Sequence, residues 1–172
     1  MELVDYTDAD LPLTEALECD PLVMDELGGP IPKAEIPKVH RRRLASGGWW
    51  LKIIPDTSGR AAGVIGVWPT NWRGRQIHEA GWMLLPEFQG RGLASKALEL
   101  LLRWIRADLS IDSVHAFPSV SNAPSNALCR KFDFALVEQC DGGYAGRTLR
   151  CNHWELVLGR VASAASSIRN TG

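Results

Sequence analysis

The chain has no apolar run approaching the roughly 18 residues a membrane-spanning helix requires. Residues 1–6 lack the basic-then-apolar order of a secretory signal. No C-x-x-C pair is present. The four cysteines (Cys19, Cys129, Cys140, Cys151) stand apart, and the four histidines (His40, His78, His115, His153) fall in no ligand-like spacing. That pattern argues against a zinc site and for free thiols, so no metal and a cytoplasmic location are expected. Excess charge is missing too: 19 basic against 20 acidic residues leave a net −1. Nucleic-acid binding through bulk charge is thereby disfavoured, and no membrane partner is expected. What is present is 172 residues that are 45% hydrophobic, enough for one domain with a sizeable core.

The small net charge hides a polarity. Residues 1–35 hold ten acidic residues and one basic residue, whereas residues 36–75 hold eight basic and one acidic, including Arg41-Arg42-Arg43. Two readings stand: solvated helix faces, or an acidic lobe that meets a cationic partner beside a basic lobe.

Alternation predicts a first strand over 2–6, and helical stretches follow over 11–20, 24–27 and 33–45, broken by Pro21 and by Gly28-Gly29-Pro30. Strands over 49–54 and 62–68 flank a turn at 55–59. Residues 69–76 read as a polar loop, and 77–85 as a central strand with Glu79, Gly81 and Met83 on one face. Apolar positions 93, 94, 97, 98, 101, 102 and 105 form a helical stripe, with Glu99 and Arg103 as a supporting pair. A strand over 111–117, a helix over 125–132 and strands over 134–140 and 148–158 complete one mixed α/β sheet, with 141–147 as a long hairpin loop. The chain thus divides into a domain over 1–158 and a small, polar tail over 159–172 that is expected to fray.

The chemistry-bearing stretch runs from Glu79 to Ala94. A strand enters the turn Gln89-Gly90-Arg91-Gly92, which opens the strongest helix. Amides at a helix start lack internal acceptors and, with the helix dipole, suit a pyrophosphate. A P-loop is rejected, because Gly92 is followed by Leu93 and not by Lys-Ser/Thr. A dinucleotide fingerprint is disfavoured: Asp112, at the right distance, begins its strand where a ribose-binding acid would end one.

The third pattern, Q-x-x-G-x-G/A, fits Gln89 to Ala94. Here the sequence resembles the GNAT superfamily of acetyl-CoA-dependent N-acetyltransferases, and within it the RimJ/RimL-like branch. Glu79-Ala80-Gly81-Trp82 through Pro86-Glu87-Phe88 to the glycine turn follows that branch's order. Asn122 to Phe134 resembles the family's second helix motif, and Asp20 to Pro30 its N-terminal segment.

The resemblance implies a single GNAT-type domain: a mixed, mostly antiparallel sheet with a splayed strand pair, flanked by helices. It implies acetyl-CoA as co-substrate, with the pantetheine arm along Trp82, Met83 and Leu84. The pyrophosphate would lie on Gln89, Gly90, Arg91, Gly92, Leu93 and Ala94, and Asn122, Asn126 and Lys131 would reach the donor. Glu79 is the implied base, acting through water on a primary amine of a small molecule or peptide; backbone N–H groups near Leu84 are candidate oxyanion donors. The family's usual tyrosine acid is replaced by Cys129, which leaves Ser125 as the implied acid, with a helix N-cap as its bland alternative. The missing tyrosine also keeps open a non-catalytic acyl-CoA-binding module. Asp133 replaces a glycine at the helix end, a position Asp tolerates in the left-handed region. Among seven Trp, most are expected in the core and Trp72 exposed in its loop. An aromatic and acidic pocket would suit a cationic amine. The chain would act as a monomer or homodimer.

Overall fold

The computed structural model describes residues 1–108 and 111–159; the expected fraying beyond Gly159 lies outside them. The strands are β1 (Glu2–Asp5), β2 (Trp49–Ile54), β3 (Gly63–Trp72), β4 (Arg75–Leu84), β5 (Ser113–Ala116), β6 (Ala135–Tyr144) and β7 (Arg147–Val157), with β-branched and aromatic residues densest in β2 and β3. They join in one seven-stranded sheet of order β1-β2-β3-β4-β5-β7-β6. Every neighbouring pair is antiparallel except β4 and β5, which run parallel.

The helices are α1 (Leu11–Glu18), α2 (Pro21–Met24), α3 (Ile36–Leu44), α4 (Leu93–Asp108) and α5 (Ala123–Lys131). The expected stripe of α4 is its buried face: Ala97, Leu98, Leu101, Leu102 and Ile105 share a core with Ile53, Ile65, Val67 and Ala80. Each such leucine or isoleucine contributes about 1.5–3 kcal/mol by leaving water. The expected pair on its outer face forms, with Arg103 Nη2 2.9 Å from Glu99 Oε1. A smaller cluster of Met24, Ile31 and Ile36 packs with Met83, which alternation places on the face opposite Ala80. The helices α1–α3 therefore cover one face of the sheet and α4 the other. No described helix is long and apolar enough to cross a membrane.

Two predicted loops are strands instead. β3 and β4 stay paired through Thr70↔Ile77 to Trp72↔Arg75, and β6 and β7 through Asp141↔Arg150 to Tyr144↔Arg147. Each hairpin closes on two residues of positive φ, Arg73-Gly74 and Ala145-Gly146. These are the tight turns whose twist matches the flanking strands. Asp133 does take a left-handed conformation, at φ 59°. Phe134 N–H donates to the Cys129 carbonyl beside it, so the end of α5 is intact.

Candidate active site

β4 and β5 pair at a single register position, Glu79↔His115. Beyond it β4 continues to Leu84 while β5 ends at Ala116, so the two strands part. The opening leads into a cavity of about 500 Å³. Its walls are the parted strands, the start of α5, the end of α3 and the β6–β7 hairpin.

At the donor side, β4 runs into a 3-10 turn over Pro86–Phe88, anchored by the buried Phe88 ring. The Gln89 side chain folds back, its amide nitrogen donating to the Leu84 carbonyl at 3.0 Å. Gly90 and Gly92 take φ of 68° and 73°, which L side chains adopt only with strain. Nothing lies within 4 Å of where either would carry a Cβ, so the space above the turn is open. α4 starts at Leu93, and its first-turn amides, including those of Leu93 and Ala94, precede the first intrahelical bond, Lys96 N–H to the Gly92 carbonyl. Arg91 stays at this turn, its guanidinium 5.7 Å from the Phe88 ring centre. Lys131, from α5, donates to Ser95 Oγ at 2.7 Å, which brings a cation onto the first turn of α4.

At the head of the opening stands Glu79. Thr70 Oγ1 donates to its carboxylate at 3.0 Å, and the Trp68 side chain adds a second hydrogen bond. No ion pair among the described residues includes it. Burial, the larger effect, pushes its pKa up, and the two hydrogen bonds offset this only in part. A carboxylate poised above its ordinary range, without a cation to hold its charge, is suited to accepting a proton. Neither Thr70 nor Trp68 was expected as a partner of Glu79. Both lie on β3, one in register with Glu79 and the other two residues on, and reading 69–76 as a loop hid that register.

Across the opening, Trp82 Nε1 donates to Ser125 Oγ at 3.2 Å. That bond uses an acceptor site of the hydroxyl and leaves its proton free to be given elsewhere. The cap of α5 is Asn122, whose side chain accepts from Ser125 N–H at 3.0 Å; α5 begins earlier than expected, so Ser125 is not its N-cap. Trp82, Met83, Asn122 and Ser125 all line the cavity. Asn126 does not. It is buried, donates to the Ser119 and Asn122 carbonyls, and accepts from Asn152 and Trp154. All four of its hydrogen-bonding positions are thereby engaged inside the protein. Cys129 is fully buried, and desolvation pushes its thiol up to about 12; it is a core residue with no acid–base role at neutral pH. All four cysteines are free.

The remaining wall departs most from expectation. Trp50 and Trp68 stack at 4.4 Å with planes 10° apart. The cross-strand pair Gly66↔Gly81 makes room for them: a Cβ on Gly66 would lie 2.8 Å from the Trp50 ring, and one on Gly81 2.8 Å from the Trp68 ring. Arg43 covers Trp50 at 4.7 Å and pairs with Glu18 at 2.6 Å, both side chains almost fully buried. Tyr144 OH donates to the same Glu18 oxygen, and burial, with Glu18 beside it, pushes the phenol pKa far up. The acidic and basic blocks meet at a few ion pairs only. Glu18 meets Arg43, Asp10 meets Lys52 and Glu35 meets Lys38, while Glu15 meets the first block's own Lys33; none of the first block's acids lines the cavity. Trp72 is partly buried against Phe117 (4.7 Å) and His153 (5.7 Å), contrary to its expected exposure. Trp49 is the exposed indole and Trp154 the one in the core.

This arrangement agrees with the comparisons. Residues 1–135 match the model of the acetyltransferase (GNAT) domain. No curated protein matches the chain. Among solved structures, the fold is similar to an acetyltransferase from Agrobacterium tumefaciens (22% identity, 90% of this chain and 88% of that one, TM-score 0.73). It is also similar to a ribosomal-protein-alanine N-acetyltransferase from Brucella melitensis (22%, 92% and 100%, 0.71). A third is a spermidine N-acetyltransferase from Vibrio cholerae in complex with CoA and spermine (16%, 92% and 96%, 0.75). With the family model spanning most of its length, the chain belongs to the GNAT acetyltransferase domain family, whose members use acetyl-CoA.

Proposed function

We propose that the protein is an N-acetyltransferase of the RimJ/RimL-like branch that moves the acetyl group of acetyl-CoA to a primary amine by direct attack. The amine nitrogen bonds to the thioester carbonyl carbon, giving a tetrahedral intermediate whose collapse breaks the C–S bond. The ammonium proton passes through water to Glu79, and Ser125 gives its proton to the leaving thiolate while taking one from water; the proton that Glu79 then releases to water restores the balance. The observation that carries this reading is a half-buried carboxylate without a cation at the head of an opening that leads to an anion-accepting helix start. The pantetheine arm would follow the unpaired edge of β4 from Trp82 to Leu84, and the pyrophosphate would sit on Gln89 to Ala94, with Lys131 beside them. Asn122 and Asn126 serve by fixing α5, which carries Ser125. The Trp82–Ser125 bond supports a transferase over a binding module, because it orients a donor hydroxyl where Cys129 offers none. Four free thiols fit a cytoplasmic enzyme.

With purified protein and an amine panel, Glu79→Gln should lower kcat about 10²–10⁴-fold while the calorimetric Kd for acetyl-CoA holds. Ser125→Ala should lower kcat more than the KM for acetyl-CoA. Wild-type turnover in the Glu79 variant would remove it as the base.

A further inference from the structure

We propose that the acceptor is a small primary amine with an apolar or aromatic body and a carboxylate at its far end, and that Arg42 recognises that carboxylate. This rests on the transferase reading and narrows it. Glu79, the proposed base, is the one acidic residue on the cavity wall; the other charged residues there are Arg42 and Arg43. Arg43 is already balanced by Glu18. Arg42, exposed in the last turn of α3, has no hydrogen bond or ion pair among the described residues. The uncompensated charge at this end of the cavity is therefore positive, and a polyamine would meet repulsion there.

The aromatic wall points the same way. Indole faces attract cations, but of the four indoles on the wall two already carry one of the protein's own guanidiniums: Arg43 lies over Trp50 at 4.7 Å and Arg73 over Trp72 at 5.0 Å. Trp68 turns one face to Trp50. What the stack offers a substrate is flat apolar area, not a cage for a second ammonium. Size agrees as well. A cavity of about 500 Å³ must also admit the acetyl end of the donor, which leaves room for an amine of roughly one ring.

The test is a matched series with one skeleton: 4-(aminomethyl)benzoate, 4-(aminomethyl)benzamide and 1,4-bis(aminomethyl)benzene, with spermine alongside. The wild-type enzyme should show kcat/KM about tenfold higher for the carboxylate than for the amide, and lower again for the diamine and spermine. Arg42→Gln should collapse the carboxylate-to-amide ratio toward one. Arg42→Glu should invert the order in favour of the diamine. Arg41→Gln, on the same helical turn but off the cavity wall, should keep the ratio. Equal or better turnover of the diamine or spermine by wild type, or a ratio untouched in Arg42→Gln, overturns the proposal while leaving the transferase reading standing. Absence of transfer to every amine overturns the transferase reading. The acceptor class is then decided by binding of 4-methylbenzoate against 4-methylbenzamide to CoA-saturated protein, read by tryptophan fluorescence. Tenfold tighter carboxylate binding upholds it, and equal binding sinks it.

Discussion

The two sides of the cavity are built on opposite principles. On the donor side the polar groups on offer are backbone amides at the start of α4, and the glycine turn leaves open space above them. On the acceptor side the buried polar side chains are spent on one another: Arg43 and Tyr144 both on Glu18. A backbone site depends on φ and hardly on side-chain identity, so it suits a donor that never changes. A wall of mutually satisfied side chains leaves few groups to address a substrate, so specificity falls to those left over, Arg42 and Glu79.

The comparison breaks most severely at Glu18. Glu18→Gln leaves Arg43 as a buried cation without its counter-charge, in a pair whose side chains are 4% and 0% exposed. Removing one partner of such a pair costs about 3–5 kcal/mol, to be measured by urea unfolding. The double substitution Glu18→Leu with Arg43→Met should regain most of the loss, since two apolar groups avoid the cost of burying charge. A single-variant loss below about 1 kcal/mol, the range of an exposed pair, would show that the wall does not depend on this pair.

The donor side should respond to φ and little else. Gly92→Ala adds a methyl group into open space, so packing is untouched and the effect is conformational. Holding a left-handed φ costs a non-glycine residue about 1–2 kcal/mol. Where the turn relaxes to escape that strain, the KM for acetyl-CoA should rise about five- to thirtyfold, with the acceptor KM unchanged. Gly92→Asn should fall between Ala and wild type, because Asn visits this region more readily. A rise in acceptor KM of the same size would erase the distinction between the two sides.

The same contrast governs what could be read from the sequence. The donor side is local: strand, turn and helix lie within residues 79–105, and the helical period and glycine spacing state them directly. The acceptor wall is assembled from residues far apart, such as Glu18 with Arg43 and Tyr144, or Trp50 with Trp68 across a strand pair. The tips of its two hairpins were read as loops for one reason. Arg73-Gly74 and Ala145-Gly146 close tight turns without the Asn or Asp that usually announces them. Pro69, the first residue of the expected loop, sits inside β3. With those registers hidden, Thr70 and Trp68 had no path to Glu79. The charge blocks misled in the same way, since composition counts charges but does not say which of them meet.

Glu79 lies where the two sides join, and it carries the smallest of these effects. Burial raises its pKa above the ordinary 4.5, so the folded state holds this proton more tightly than the unfolded state does. Stability from this group is therefore full below about pH 4.5 and is lost as pH rises through the raised value. Glu79→Gln has no such loss. Its unfolding free energy should track wild type near pH 4 and exceed it at pH 8, with the gap opening between. A variant less stable than wild type at pH 8 would mean that the Thr70 and Trp68 hydrogen bonds outweigh desolvation, and that the carboxylate is held as an ordinary structural anion. A more stable, inactive variant would instead locate here the cost of keeping a base ready in a partly buried site.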